Sequence, residues 1–145
     1  MGDMVIVESR EIRMIKRYNK VGCGALLSLM ASLSFAQGWQ VPQPSPGLMP
    51  NPAQGKTLFL QNCASCHGAD MKGVDKGDKK GPPLLHKIYE PSHHGNAAFQ
   101  LAAKNGVRAH HWPYGDMAPV PKVTPDDVAH ITAYVRAEQR KVGIQ

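Results

Sequence analysis

Cys63-Ala64-Ser65-Cys66-His67 is the stretch of this sequence that decides its fold. Two thiols separated by two residues, with a histidine directly after the second, form the spacing C-x-x-C-H, which occurs once in the chain. Each thiol of such a motif can form a thioether bond to one vinyl group of a haem, and the adjacent imidazole can bind the iron. The motif therefore predicts one covalently bound haem, with His67 as the proximal iron ligand.

Two other uses of paired cysteines fit the sequence less well. A thioredoxin-like dithiol needs its C-x-x-C between a strand and a helix of a βαβ pattern, and the sequence shows no such pattern. A structural zinc site needs further ligands at suitable spacing, and the chain has no second C-x-x-C. Because Cys63 and Cys66 are the only cysteines after residue 36, we predict no disulfide once haem is attached.

Residues 1–36 are predicted to be a cleaved signal peptide. A basic n-region lies between Arg10 and Lys20, an apolar segment covers residues 21–35, and Ser34-Phe35-Ala36 is a small-x-small cleavage site. The apolar segment is short for a membrane span, and an uncleaved anchor is the alternative. We therefore expect export to the periplasm with cleavage after Ala36.

The remainder of the chain is mildly basic and begins with a proline-rich segment. Residues 37–145 contain 12 Lys and Arg against 8 Asp and Glu, which suits an acidic protein partner and, without a dense basic run, argues against nucleic acid. Five prolines lie between Val41 and Pro52 and favour an extended segment over a packed element. We predict a proline-rich tether at residues 37–50 and one small domain at residues 51–145.

Three helices are indicated by their capping residues. Asn51-Pro52 begins the first, which contains Gly55 and runs to the C-x-x-C-H motif. Asn96 as N-cap and Gly106 at the end mark the second. Thr124 caps the last, whose apolar positions repeat at three and four residues: Val128, Ile131, Tyr134 and Val135. We expect loops elsewhere, with no strand of useful length.

The order of these features resembles the class I, mitochondrial-type, cytochrome c family. The matching features are a first helix with a glycine and an aromatic residue, then C-x-x-C-H-G, then G-P-x-L, then a methionine loop, then a helix with a tyrosine. The resemblance covers residues 51–140. It implies an all-α fold of three to five helices around one covalently bound haem c, and close crossing of the first and last helices. The residues implied at that crossing are Gly55 and Phe59 against Ile131 and Tyr134.

The same resemblance gives roles to residues near the iron. In Gly81-Pro82-Pro83-Leu84, it implies that the Pro82 carbonyl accepts the Nδ1–H of His67 and that Leu84 packs on the proximal face. Met71 follows His67 by four residues and is constrained to the same side of the ring. Met117 lies where the family's ligand loop precedes the last helix, so we expect Met117 to be the sixth ligand. Alternatively, Met117 fills a gap in the core.

Two histidine pairs, His93-His94 and His110-His111, are unusual for a small electron carrier. One interpretation is bis-histidine ligation of the iron by one of them. A second is another metal site or a partner contact, and the simplest is solvated loop residues, one of which donates to a haem propionate. Trp112 and Tyr114 also have two interpretations. Their N–H and O–H groups donate to a haem propionate, or their rings form an aromatic wall.

An iron with both axial positions occupied leaves no vacancy for substrate, so the sequence favours an electron carrier over an enzyme. We expect single-electron transfer between redox proteins such as a dehydrogenase and an oxidase, or a role as the cytochrome subunit of an oxidoreductase complex. Membrane contact is expected only through an uncleaved signal or a membrane-bound partner. The candidate docking residues are Lys72, Lys76, Lys79 and Lys80, interleaved with Asp70, Asp75 and Asp78.

Two other functions stay open. One is a haem enzyme or a gas- or peroxide-responsive protein with an open sixth position, whose distal histidine would come from His110-His111. The other is a metal-binding accessory protein that uses the paired histidines.

Overall fold

The structure is a computed structural model and describes residues 40–145. The elements in this part of the chain are the helix α1 (Pro52–Asn62), the short helix α2 (Ala64–His67), the strands β1 (Val74–Lys76) and β2 (Lys79–Gly81), a 3-10 helix (Lys87–Tyr89), and the helices α3 (Asn96–Asn105) and α4 (Pro125–Lys141). The predicted signal peptide lies outside the described residues. None of the helices described is long and apolar enough to cross a membrane.

The start of α1 is set by its cap and by a contact with α4. The Asn51 side chain accepts hydrogen bonds from the N–H groups of Ala53 and Gln54. Pro52 lies in the first turn, where a backbone N–H would have no partner within the helix. The Asn51 N–H itself donates to His130 Nδ1 at 2.8 Å. The chain therefore enters α1 already attached to α4.

The crossing of α1 and α4 organises the domain. A β-carbon added to Gly55 would lie 1.9 Å from the backbone oxygen of His130, so no side chain fits there. One turn later, Phe59 packs edge to face against Tyr134 with 5.7 Å between ring centroids. The close approach offsets the cost of a helix-interior glycine, about 1 kcal/mol relative to alanine. The helix crossing that the family resemblance implies is confirmed.

The helix α4 has the boundaries and the buried face that the sequence predicts. Thr124 and Asp127 form a capping box, in which the Asp127 N–H donates to Thr124 Oγ1 at 3.2 Å and the Thr124 N–H donates to Asp127 Oδ2 at 2.9 Å. The predicted apolar positions are all buried: Val128, Ile131, Tyr134 and Val135. The hydrophobic core consists of Phe59, Met71, Leu84, Ile131, Tyr134 and Val135.

The expectation of no strand after the C-x-x-C-H motif is wrong. β1 and β2 form an antiparallel hairpin in which Lys76 lies opposite Lys79. Gly77 takes the first position of the two-residue turn with a φ of 55°, and a positive φ at that position matches the twist of hairpin strands. The strands are too short and too polar to show an alternation of apolar residues, which is why the pattern gave no signal.

The predicted cap of α3 is also wrong by one residue. The N-cap is Gly95, and Asn96 is the first helical residue. The side chain of Asn96 is used in another contact, because its Oδ1 accepts a hydrogen bond from Arg136 Nε at 3.1 Å. The helix ends at Gly106 with a φ of 73°, at the predicted position.

The proline-rich segment has no helix or strand between residues 40 and 50. It does not extend free of the domain, however, because Ser45 binds the first turn of α4. The Ser45 N–H and hydroxyl donate to the two carboxylate oxygens of Asp126 at 2.6 and 2.8 Å. The tether is therefore held against the domain by a carboxylate at the N-terminus of α4.

Candidate functional site

The two thiols and the histidine of the motif lie on a single helical turn. Cys63 ends α1 and is the N-cap of α2. The N–H groups of Cys66 and His67 both donate to the Cys63 carbonyl, at 3.2 and 3.0 Å. Both cysteines are free and half-buried. This turn keeps Cys63, Cys66 and His67 together without help from distant parts of the chain.

The Cys63 thiol lacks the lowered pKa of a reactive redox cysteine. Burial, with a smaller contribution from the neighbouring Cys66, raises the pKa of the Cys63 thiol to about 11. Reactive dithiols of the thioredoxin type have a lowered pKa, which gives a thiolate near neutral pH. Cys63 is protonated under those conditions, which argues against a redox dithiol.

His67 is oriented by a hydrogen bond through one ring nitrogen. Its Nδ1 lies 3.0 Å from the Pro82 carbonyl oxygen. Because a carbonyl can only accept, Nδ1 carries the proton and Nε2 keeps its lone pair. Burial lowers the pKa of His67, and the hydrogen bond to Pro82 opposes this in part. The result is an imidazole that is neutral at neutral pH with Nε2 free, which is the form that binds iron.

Two glycines allow the Pro82 segment to reach His67. A β-carbon on Gly81 would lie 2.5 Å from the Cys66 carbonyl oxygen, so this segment runs directly against the motif. Gly73 has a φ of 83°, and its N–H donates to the His67 carbonyl at 2.8 Å. Gly73 was not among the site residues predicted from the sequence. Its signal was weak, since a glycine in a polar loop is ordinary.

Met71 and Leu84 belong to the hydrophobic core. The Met71 side chain is 1% exposed, and its backbone carbonyl accepts the Leu84 N–H at 2.8 Å. Met71 has a φ of 61°, which is uncommon for a residue with a side chain. This methionine therefore has a packing role beside Phe59 and Leu84.

Met117 lies on a different loop, which is fastened to the end of α3. Met117 and Val107 exchange two backbone hydrogen bonds of 2.9 Å. A β-carbon on Gly106 would lie 2.4 Å from the Met117 carbonyl oxygen, so the glycine that ends α3 also permits this contact. The Met117 side chain is half-buried. The loop that carries Met117 therefore has a defined position in the domain.

Trp112 supplies the observation that best tests whether the site fits a haem. Its Nε1 is buried and has no hydrogen-bond partner among residues 40–145. Burial raises the pKa of the Tyr89 hydroxyl, and the Trp112 N–H opposes this in part, although the two groups do not meet the geometry of a hydrogen bond. A buried donor without an acceptor costs about 1–3 kcal/mol, so an acceptor on a bound group would stabilise it. A haem propionate is such an acceptor, and the residues present therefore fit a haem.

The aromatic neighbours of Trp112 agree with its second predicted role. Its ring packs edge to face on His86 with 5.0 Å between centroids and lies parallel to Tyr114 at 6.1 Å. The two interpretations of Trp112 are compatible, because the ring forms part of an aromatic wall while the N–H is free to bind a carboxylate.

The paired histidines and the candidate docking lysines lie at the surface. The rings of His93, His94, His110 and His111 form one cluster, in which His93 and His111 are exposed. The lysines at positions 72, 76, 79 and 80 are all exposed. Within the described part of the chain, only Lys80 among them forms an ion pair, with Asp75 at 3.5 Å. An exposed pair of this kind contributes little to stability.

A comparison with protein families agrees with these features. The sequence model of the family described as "Cytochrome c" matches residues 52–138, from the first turn of α1 into the last turn of α4. The searches of curated proteins and of solved structures gave no match. The matched segment includes Cys63, Cys66, His67, Pro82 and Met117. The chain therefore belongs to the cytochrome c family as a class I member, and this family binds covalent haem c, one per domain.

Proposed function

We propose that the protein is an exported carrier of single electrons between redox proteins, with His67 and Met117 as axial ligands of its haem iron. The observation that supports this best is the hydrogen bond between His67 Nδ1 and the Pro82 carbonyl, because it presents Nε2 to a metal in a fixed orientation. The signal sequence predicted at residues 1–36 supports export to the periplasm.

Each residue of the site has a separate task. Cys63 and Cys66 would hold the haem by thioether bonds, and Trp112 Nε1 would donate to a propionate. When bound, the haem supplies the one-electron redox chemistry. The protein holds His67 in one orientation, and Met117 would keep water and other small ligands from the iron. Methionine ligation also raises the reduction potential.

Electron exchange requires a partner that approaches the site. The hairpin directly after the motif carries Lys76, Lys79 and Lys80, all exposed. The chain then passes from β2 into Pro82, which binds His67. A cationic hairpin so close to the site supports docking of an acidic redox protein, such as a dehydrogenase or an oxidase.

Three measurements on the purified holoprotein test the proposal. A potentiometric titration should fit a single one-electron step, and the reduced protein should not bind carbon monoxide, because Met117 occupies the sixth position. Haem should remain with the denatured chain in acidified organic solvent, since thioether bonds are covalent. Rapid carbon monoxide binding together with turnover of peroxide would instead indicate a haem enzyme or a gas-responsive protein.

A further inference from the structure

Three histidines from two loops bring their ring nitrogens together at the surface. One nitrogen each from His93, His94 and His111 lies within 4.8 Å of the others. The Nε2 atoms of His93 and His111 are 3.3 Å apart. Zinc–nitrogen bonds of about 2.0–2.1 Å in a tetrahedral site place two ligand nitrogens about 3.3 Å from each other. The separation of His93 and His111 is therefore the separation that a shared ion requires.

The ring of His94 is oriented as a metal ligand is. Its Nδ1 lies 2.6 Å from the Ile88 carbonyl, so Nδ1 carries the proton and Nε2 keeps its lone pair. Histidines that bind metals commonly donate their other N–H to a backbone carbonyl in this way. Arg136 of α4 holds the segment by donating to the carbonyls of His94 and Tyr89. His94 is thus attached to α4.

His111 is held in place by its own loop and by its neighbour. The Ala109 N–H donates to Asp116 Oδ1 at 2.8 Å, which closes the loop around the histidines. The ring of His110 packs on His111 with 4.1 Å between centroids, and His110 Nδ1 binds the Arg108 carbonyl at 2.8 Å. These contacts fix the positions of His110 and His111 within one loop.

From these contacts we propose that His93, His94 and His111 form a second metal site, separate from the haem iron, which binds one copper(II) or zinc(II) ion. Imidazole nitrogens suit these borderline metals, and the three residues include no carboxylate of the kind that magnesium and calcium need. Three protein ligands leave a fourth position for water or for a ligand from a partner. The ion would link the segment before α3 to the loop that continues to Met117.

The test uses the untagged holoprotein, stripped of loosely bound metal and titrated with copper(II) in one arm and zinc(II) in another, in competition with a coloured chelator. The wild type should bind one ion per chain in at least one arm. His111→Ala should weaken that binding by at least about 100-fold, since loss of a residue that only orients a metal ligand already costs 10–100-fold. His93→Ala should have the same effect and provides a second variant at an exposed position.

The matched control is His86→Asn. His86 is exposed and lies outside the three-histidine group. Its Nδ1 accepts a hydrogen bond from the Ile88 N–H at 3.2 Å, and the side-chain oxygen of an asparagine can accept the same hydrogen bond. This variant should bind the ion as the wild type does. In the copper arm, the electron paramagnetic resonance spectrum of the wild type should show coupling to nitrogen ligands.

Three outcomes would overturn the proposal. These are no bound ion in either arm, unchanged affinity in both His111→Ala and His93→Ala, or copper coordinated by oxygen alone. The haem absorption spectrum of each variant shows whether the haem site is intact. A failed metal site with a normal haem spectrum would therefore leave the proposed electron carrier unaffected.

Discussion

At the scale of single residues, the site depends on how closely Pro82 approaches His67. The segment reaches this position because Gly81 has no side chain against the Cys66 carbonyl. The hydrogen bond from His67 to Pro82 fixes the orientation of the imidazole. Any change that moves Pro82 should therefore also change the reduction potential of the iron.

Gly81→Ala tests this dependence. The new β-carbon would lie 2.5 Å from the backbone carbonyl oxygen of Cys66, which cannot rotate away. We therefore expect a loss of about 1–3 kcal/mol of folding stability and a shift in the reduction potential. Denaturant unfolding and a potentiometric titration of the holoprotein measure the two effects. Gly95→Ala is the control, because the nearest atom to its β-carbon is 3.6 Å away. Equal behaviour of the two variants would contradict this account of Gly81.

A second residue-scale prediction concerns Asp126 and pH. Hydrogen bonds from the Ser45 N–H and hydroxyl hold the pKa of Asp126 below its usual value of 3.8. A lowered pKa in the folded state means that this contact stabilises the attached tether above pH 3.8 and is lost as the pH falls through the folded-state pKa.

The expected result is a Ser45 amide that is ordered at neutral pH and released in acid, as followed by NMR. Asp126→Asn should weaken the attachment at neutral pH. A Ser45 amide that stays unchanged in acid and in the variant would show that the carboxylate does not hold the tether.

At the scale of elements, the stability of the fold depends on the crossing of α1 and α4. Gly55→Ala would stabilise an isolated helix by about 1 kcal/mol. In this domain it should instead destabilise by roughly 1–3 kcal/mol, because the β-carbon would overlap the His130 carbonyl oxygen at 1.9 Å. Urea unfolding of the holoprotein measures the difference, with Gln54→Ala on the exposed face of α1 as the control. A neutral or stabilised Gly55→Ala would mean that the helices separate easily there.

The elements also show what the sequence could and could not predict. Caps act over a few residues, so Asn51 and Thr124 located the starts of α1 and α4 correctly. The side chain of Asn96 misled the prediction for α3 because Arg136, 40 residues later, binds it. The hairpin was missed because its strands have no apolar periodicity.

The candidate site also has features that the sequence could predict and features that it could not. Cys63, Cys66 and His67 are neighbours in sequence, so their spacing was sufficient to predict a haem motif. The meeting of His93 with His111 joins residues 18 positions apart, and the unpaired N–H of Trp112 depends on packing from several segments. Neither feature follows from spacing within a short stretch.

At the scale of the whole molecule, the surface charge should govern partner binding. The exposed lysines at positions 72, 76, 79 and 80 outnumber the interleaved Asp70, Asp75 and Asp78, and in the described part of the chain Lys80 alone of these four lysines forms an ion pair. A small excess of positive charge therefore lies beside the motif. The rate of association with an acidic redox partner should fall as salt rises, while electron transfer within the complex stays nearly constant. Stopped-flow measurements over a range of ionic strength test this. A rate of association that is independent of salt would remove the docking role.

The central claim is that a His67/Met117-ligated haem iron carries the electron, and the absorption spectrum of the oxidised protein tests it most directly. The wild type should show the methionine-to-iron charge-transfer band, and Met117→Ala should lose it and admit cyanide. Met71→Leu, a conservative change in the core, should keep the band. A band that persists in Met117→Ala, or that is absent from the wild type, would contradict the account.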